Sequence, residues 1–299
     1  MLASVVIPTH DRPEALGRCL DALGRQTVEA GWFEVVVVDD GSSPALVLEA
    51  ERWAGKFRLS VVRQDNTGPA GARNRGVVAA QGEVVVFTDD DCLPEPDWLE
   101  IILAAWRENP EALVGGSTYN GLSGDLFAET SNFILDLVYA HFNASPEEAY
   151  FFASNNIACG RQAYLEQGGF DISFCCWGGE DRDFCDRWRA AGRTLRWVPG
   201  ARIEHRHGQS LGKFVRLHFR YGQGAYIYQA KRRQRGAGTM QADLAFHGAF
   251  PRLMCRQWGR YRWPRRLGLL RNLAIWHLAN AAGFAREAWR FRGKGGRLD

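Results

Sequence analysis

Val84-Val85-Val86-Phe87-Thr88-Asp89-Asp90-Asp91 decides the fold: four consecutive apolar, strand-forming side chains run into a threonine and three carboxylates. A continuous apolar run closed by polar residues is how a strand buried on both faces of a parallel sheet reads, whereas a strand with one wet face alternates. Working outward, residues 4–8 (SVVIP), 35–38 (VVVV) and 59–62 (LSVV) repeat the signal. Residues 13–25, 44–56 and 70–81 lie between these runs, each long enough for a crossover helix. Strand–helix alternation at this spacing predicts a doubly wound, Rossmann-like α/β domain with a mostly parallel sheet flanked by helices. Ligands of such sheets bind beyond the carboxyl ends of the strands, which singles out the polar groups at 9–11, 39–43, 64–66 and 88–91.

Past Leu93 the rhythm slackens. Residues 94–109 read as a helix entered through prolines, 113–117 as a strand and 126–142 as a helix; 150–153, 161–167, 180–191 and 194–198 read as strand, helix, helix and strand. From Gln209 onward the signals are helical or irregular. The predicted division is a nucleotide-binding and catalytic domain over 1–207 and a helical, Arg-rich extension over 208–299.

The 299 residues are 46% hydrophobic and 24% charged, which excludes wholesale disorder and allows a sizeable core without staples. Seven cysteines, with Cys175 and Cys176 adjacent and no C-x-x-C pair, support neither a disulfide framework nor a structural zinc site and read as a reduced, cytoplasmic chain. The first residues, MLASVVIPTH, read as a buried strand rather than a signal peptide. The net charge of +3 conceals an asymmetry: residues 1–200 hold 16 Lys/Arg against 30 Asp/Glu, and residues 201–299 hold 21 against 4. Such a basic part points to a separate binding role for nucleic acid, anionic membrane or acidic substrate.

Four constellations carry chemistry. Three carboxylates ending a buried strand are costly unless something cationic neutralises them. On extended backbone Asp89 and Asp91 fall on one side and Asp90 on the other, and a pair of carboxylates sharing phosphate oxygens suits a hard divalent cation; the alternative is an acidic helix start before Pro94. Asp39-Asp40-Gly41-Ser42 ends another buried strand, where a carboxylate accepts from a base N–H or a ribose hydroxyl, or else makes an ordinary Asp-Gly turn. Glu180-Asp181-Arg182-Asp183 opens a helix after Trp177-Gly178-Gly179, as a desolvated general base or a solvated helix start. His205-Arg206-His207 places two imidazoles on one face of an extended segment, as metal ligands or as a basic turn. No G-x-x-x-x-G-K-[ST] loop, no G-x-G-x-x-G after the first strand and no G-x-S-x-G elbow is present, which disfavours P-loop hydrolysis, dinucleotide redox chemistry and Ser-elbow hydrolysis.

Taken in order, Val5-Val6-Ile7-Pro8-Thr9, Val38-Asp39-Asp40-Gly41-Ser42, Asn66-Thr67-Gly68-Pro69-Ala70-Gly71-Ala72-Arg73-Asn74, Phe87-Thr88-Asp89-Asp90-Asp91 and Trp177-Gly178-Gly179-Glu180-Asp181 resemble the family 2 glycosyltransferases of the GT-A fold, over roughly residues 3–207. The resemblance implies a UDP- or dTDP-sugar donor and Mn²⁺ or Mg²⁺. By it, Thr9, Asp39 and Asp40 hold the base and ribose, with Pro8, Arg12, Asn66, Gly68, Arg73 and Asp90 around the donor. Asp89 and Asp91 form the D-x-D motif, Asp89 toward ribose and Asp91 on the metal, with His205 or His207 completing the site. Asp181 is the implied catalytic base. Asn155 and Asn156, with Trp177, Gly178, Gly179 and Glu180, would line the acceptor cleft. The implied reaction is metal-dependent transfer with inversion to a hydroxyl of a glycan, lipid-linked or other cell-surface precursor. A non-catalytic nucleotide- or carbohydrate-binding module on the same fold is the alternative.

The basic tail lies outside these motifs. Residues 267–291 read as a helix whose apolar run is broken by Arg271, Asn272, His277 and Asn280, too short to span a bilayer. Arg252, Arg256, Arg260, Arg262, Arg265 and Arg266 interleave with Trp258, Tyr261 and Trp263, as in a segment lying on an anionic membrane and placing the chain peripherally on the inner face. Packing against the acidic core is the alternative, and nucleic acid ranks below both.

Overall fold

The structure, a computed structural model, describes residues 2–174, 178–237 and 240–293. The chain divides into two compact units: Met1–Gly121 with Ser145–Cys175 and Asp181–Arg206, and Leu122–Ala144 with Cys176–Glu180 and His207–Asp299. Leu122–Ala144 thus belongs with the C-terminal helices, whereas the predicted division at residue 207 sets it in the first domain.

The first unit is an eight-stranded mixed sheet with helices against it. Its strands are β1 (Ala3–Thr9), β2 (Phe33–Asp40), β3 (Arg58–Gln64), β4 (Val84–Phe87), β5 (Cys92–Pro94), β6 (Leu113–Asn120), β7 (Ile157–Gly160) and β8 (Leu195–His205), in the order β3-β2-β1-β4-β7-β6-β8-β5. The first four are parallel, as the alternation predicts; β7 runs antiparallel between β4 and β6, and β5 antiparallel to β8. Every side chain of β2 and β4 is buried. One face of the sheet packs on α1 (Pro13–Leu23) and α3 (Trp98–Glu108), where Leu16, Leu20, Trp98 and Ile102 meet Val5, Val35 and Val86 in one core. The opposite face carries α2 (Gly68–Ala79), which comes so close that a Cβ at Gly76 would lie 2.3 Å from Val6 Cγ1.

Three predictions are corrected. Residues 44–56 form no α-helix, only a 3₁₀ turn at Ala50–Trp53, because Leu46 and Leu48 both pack on the core and a spacing of two demands extended backbone. β3 is not buried on both faces: it is the outermost strand, and Val61 is half-exposed. Residues 150–153 are not a strand; Phe152 is buried with its ring over Gly115 of β6, and the neighbouring place in the sheet is taken by β7. Helices α5 (Arg161–Glu166) and α6 (Glu180–Ala190) follow, with Tyr164, Phe170, Phe184 and Trp188 in ring-to-ring contact.

The second unit is helical: α4 (Leu126–Phe142), α7 (Leu211–Gln234), α8 (Gln241–Gln257) and α9 (Trp263–Gly293). Asp125 caps α4 by accepting from Phe127 N and Ala128 N at 3.0 Å. Phe133, Phe214, Phe250 and Trp276 centre its core, and the buried Asn272 donates to Leu126 O and Thr130 Oγ1. Of the aromatics interleaved with arginine, Tyr261 packs edge-on against Phe133, and Arg265 pairs with Glu129 at 3.0 Å. No helix among the described residues is long and apolar enough to cross a membrane.

Helices α7 and α9 cross at glycines on both sides: a Cβ on Gly222 would lie 2.1 Å from Asn280 O, and one on Gly283 2.0 Å from Phe219 O. The obstacle is backbone in each case, so neither rotamer change nor side-chain movement relieves it. Gly222→Ala and Gly283→Ala are each expected to destabilise the helical unit by about 1–3 kcal/mol, the usual range for overpacking. Thermal unfolding followed by circular dichroism would read the loss, and an unchanged melting temperature for both variants would refute the close crossing.

Candidate functional site

The parallel strands β1, β2 and β4 end side by side, and their carboxyl ends carry Thr9, Asp39-Asp40 and Thr88-Asp89-Asp90-Asp91. The alternation of β4 does not continue through the carboxylates. Cys92 N donates to Asp89 O at 3.1 Å, closing a turn, so Asp90 faces inward rather than away. Thr9 Oγ1 donates to Asp90 Oδ2 at 2.8 Å, and Arg12, just ahead of α1, reaches Asp90 Oδ1 at 3.2 Å and Asp91 Oδ2 at 2.9 Å. Asp89 takes a different cation: the buried Arg73 of α2 donates to its Oδ1 at 2.6 Å and also lies over the Phe170 ring. His205, the last residue of β8, places Nε2 3.2 Å from Asp91 Oδ1.

Burial pushes the Asp90 carboxyl up to about 6, against the opposing pull of Arg12 and Thr9. For His205, burial alone would lower the imidazole, but the Asp91 hydrogen bond and the charges of Asp91 and Asp89 outweigh it, so the histidine is raised above its ordinary range. Asp91, just past the end of β4, and His205, at the end of β8, bring a carboxylate and an imidazole together, donor types that suit a divalent cation such as Mn²⁺ or Mg²⁺.

Asp39 and Asp40 are both committed to the loops around them. Asp39 accepts from Ser42 N at 2.9 Å, Leu46 N at 3.2 Å and Arg63 at 2.7 Å; burial would raise its carboxyl, but these donors hold it below the usual range. Asp40 accepts from Gln64 at 2.7 Å and from Thr67 N and Gly68 N at 2.9 Å, so it caps the N-terminus of α2. Gly68 has φ +82° there. Gly41 has φ +80°, and a Cβ on it would strike Asn66 N at 2.9 Å, so the loops after β2 and β3 meet at a glycine. Asn66 is exposed, with its amide at 3.3 Å from the His10 ring, and His10 Nδ1 lies 2.9 Å from Asp40 O. Pro8, the penultimate residue of β1, pairs in register with Val38.

Asp181, in the first turn of α6, accepts from Arg182 N at 2.8 Å and from the backbone N–H of Ser154. Crowding by the surrounding protein raises its carboxyl above the usual range, opposed by those donors and by the charges of Arg73 and Arg182. Two residues on, the buried Asp183 pairs with Arg187 at 2.7 Å. Arg187 also donates to Gln167 O and Gly169 O, pinning α6 to the loop after α5.

The remaining predicted residues lie elsewhere. Asn156 is wholly buried and fully used: it accepts from Trp98 Nε1 at 2.8 Å and donates to Ser117 O and Ala201 O at 3.0 Å, so its amide ties the sheet together rather than facing a cleft. Asn155 is buried beside Thr118 and Cys92. Gly178 and Gly179, both at positive φ, and the buried Glu180 belong to the helical unit. Trp177 lies outside the described residues. Sequence reasoning missed Arg63 as a neighbour of the site. Parallel register exposes Arg63, which stands opposite Asp39, just as Gln64 stands opposite Asp40.

The family model described as "Glycosyl transferase family 2" matches residues 4–184. A pre-mycofactocin glycosyltransferase of Mycobacterium tuberculosis is 31% identical over 228 residues, covering 74% of this chain and 46% of that protein. A validoxylamine A glucosyltransferase of Streptomyces hygroscopicus subsp. jinggangensis is 29% identical over 257 residues, covering 73% and 61%. The chain spans about half the length of the curated relatives it matches. Among solved structures, a mannosyltransferase from Pyrobaculum calidifontis in complex with GDP-Man and Mn²⁺ has a TM-score of 0.67 at 19% identity, over 96% of this chain and 87% of that one, a likeness of fold.

The Asp40 carboxylate is the anchor of α2 that substitution can isolate. Asp40→Ala leaves Thr67 N and Gly68 N without their acceptor and is expected to cost about 1–3 kcal/mol. Denaturant unfolding measures this, and a midpoint equal to that of the unsubstituted chain would show that the cap carries no weight.

Proposed function

Because the chain belongs to glycosyl transferase family 2, we propose that it moves a sugar from a nucleotide-sugar donor to an acceptor hydroxyl, with inversion at the anomeric carbon. The observation that carries this reading is the meeting of Asp89, Asp90 and Asp91 with Arg12, Arg73 and His205 at the carboxyl ends of β1 and β4. In the proposal Thr9, Asp39 and Asp40, with Pro8, Asn66 and Gly68, form the base and ribose side of the donor site. Arg12 and Arg73 stand toward the diphosphate, beside Asp90. Asp89 and Asp91, with His205 or His207, would hold Mn²⁺ or Mg²⁺, and such a cation offsets charge on a departing nucleoside diphosphate. The donor is a UDP- or dTDP-sugar.

Asp181 is the general base. It takes the proton of the acceptor hydroxyl as that oxygen bonds to the anomeric carbon, on the face opposite the breaking bond to the diphosphate oxygen. One carboxylate serves and none acts as nucleophile, so an α-linked donor yields a β-linked product. Its raised pKa favours this role, since a base with a higher pKa takes a proton more readily. The donors from Arg182 and Ser154 keep it oriented. The acceptor is a hydroxyl of a glycan, lipid-linked or other cell-surface precursor, which would place the enzyme in the cytoplasm, peripherally at the inner face of the membrane.

The test is binding and slow hydrolysis across UDP-, dTDP- and GDP-sugars with Mn²⁺ or EDTA; failure of every donor under both conditions would leave a non-catalytic module. Asp181→Asn is expected to lose at least ~10² in turnover while still binding nucleotide, given the usual worth of general-base catalysis. The pH profile of kcat/KM should lose activity as pH falls through the raised Asp181 pKa, so its acidic limb lies above the ordinary carboxylate range. An Asn variant of near-normal turnover, or a limb at the ordinary carboxylate value, would remove Asp181 from that role.

A further inference from the structure

We propose that the outward face of α9 is a binding surface for an anionic lipid bilayer. Trp263, Leu267, Leu270, Ala274, Leu278, Ala281, Ala285 and Trp289 follow one another in steps of three or four residues, so they form one stripe along the helix. All eight are exposed, with Trp263 at 68%, Leu278 at 72% and Trp289 at 79%. The side of α9 that faces the helical unit is formed by Leu269, Asn272, Leu273, Trp276, Ala279 and Gly283. The helix therefore has two apolar faces, and among the described residues only one of them is used in packing.

The exposed stripe runs from tryptophan to tryptophan over 26 residue steps, about 39 Å at the rise of an α-helix. Indoles at both ends of an apolar stripe are placed as side chains that favour the boundary between headgroups and acyl chains. Charge selects the occupant. Helix α9 contains Arg265, Arg266, Arg271, Arg286, Arg290 and Arg292 and a single acid, Glu287, which is 1% exposed and accepts from Gln223 at 2.6 Å. Arg265 is paired with Glu129 of α4 and Arg290 lies 3.7 Å from Glu287, while Arg271, Arg286 and Arg292 are exposed, so the described surface of α9 is net positive. A second copy of the chain would bring the same positive surface and be repelled, whereas anionic headgroups complement it. Six arginines and the helix's mixed composition forbid spanning, so the helix lies in the plane of the interface.

The inference deepens the peripheral placement proposed above and rests on it only for the choice of membrane face. Its test uses no turnover: vesicle flotation and tryptophan emission of the full chain, with phosphatidylcholine alone and with about one-third phosphatidylglycerol. The anionic vesicles should float the protein and shift its emission to the blue, more strongly at low ionic strength, and neutral vesicles should bind much less. Leu270→Glu with Leu278→Glu, both at exposed positions, should weaken binding about tenfold or more while circular dichroism stays unchanged. Absence of binding to anionic vesicles overturns the proposal, as does undiminished binding by the double variant. Equal binding to neutral vesicles refutes the role of the arginines. Capture by a single-stranded oligonucleotide without vesicle binding would put nucleic acid in place of lipid. A vesicle result of either sign leaves the donor-binding test of the transferase reading independent.

Discussion

Three adjacent carboxylates at the end of a buried strand repel one another and resist desolvation, and their neutralisation is the constraint around which the α/β unit is arranged. The cations come from three separate elements. Arg12 precedes α1, Arg73 lies within α2, and His205 closes β8, so the docking of each element on the sheet is coupled to the charge balance at one point. Asp90 is the most enclosed of the three, and burial raises its carboxyl; its contacts with Thr9 and Arg12 only partly offset that cost. Carboxylates and guanidinium groups thus stand side by side at one point, which is why the proposed function draws on both.

Much of the fold was legible because composition and period agreed. The runs 4–8, 35–38 and 84–87 contain almost nothing but strand-forming apolar residues, and the positions of β1, β2 and β4 follow from that alone. The failures occur where burial was decided by neighbours distant in sequence. Residues 44–56 have a composition that a helix accepts, yet Leu46 and Leu48 are held by the core in extended form. The aromatic run at 150–153 has the look of a strand, but Phe152 fills the space above Gly115, and pairing falls instead to Ile157–Gly160. Edge position, which leaves β3 partly wet, is likewise a property of sheet order and has no local signature.

The site was legible as a set of residues and less so as a geometry. Strand ends in a parallel sheet coincide, so the polar groups after β1, β2 and β4 were bound to gather. Parity, however, holds only while backbone stays extended, and the turn closed by Cys92 N on Asp89 O reverses the expected sense of Asp90. The pairing of Asp39 with Arg63 follows from register, which needs the strand order before it can be read. Asn156 shows the opposite limit: its amide is consumed by three hydrogen bonds, one from Trp98 of α3 and two to the backbone of β6 and β8, a role that only the fold reveals.

The helical unit separates two uses of apolar surface that composition alone merges. Close crossing of α7 and α9 requires glycine at Gly222 of α7 and Gly283 of α9, and Gly283 lies on the same side of α9 as the buried Trp276 and Leu273. That side is fixed by backbone contact, so the opposite side, with its two terminal tryptophans, cannot rotate inward without breaking the crossing. Helix propensity would tolerate polar residues there, and a helix needing only solvent on that face gains nothing from leucine and tryptophan. The charge imbalance of the last hundred residues was evident from counting. Its meaning depends on this fixed rotation, which leaves the second apolar stripe exposed on a helix whose arginines far outnumber its acids.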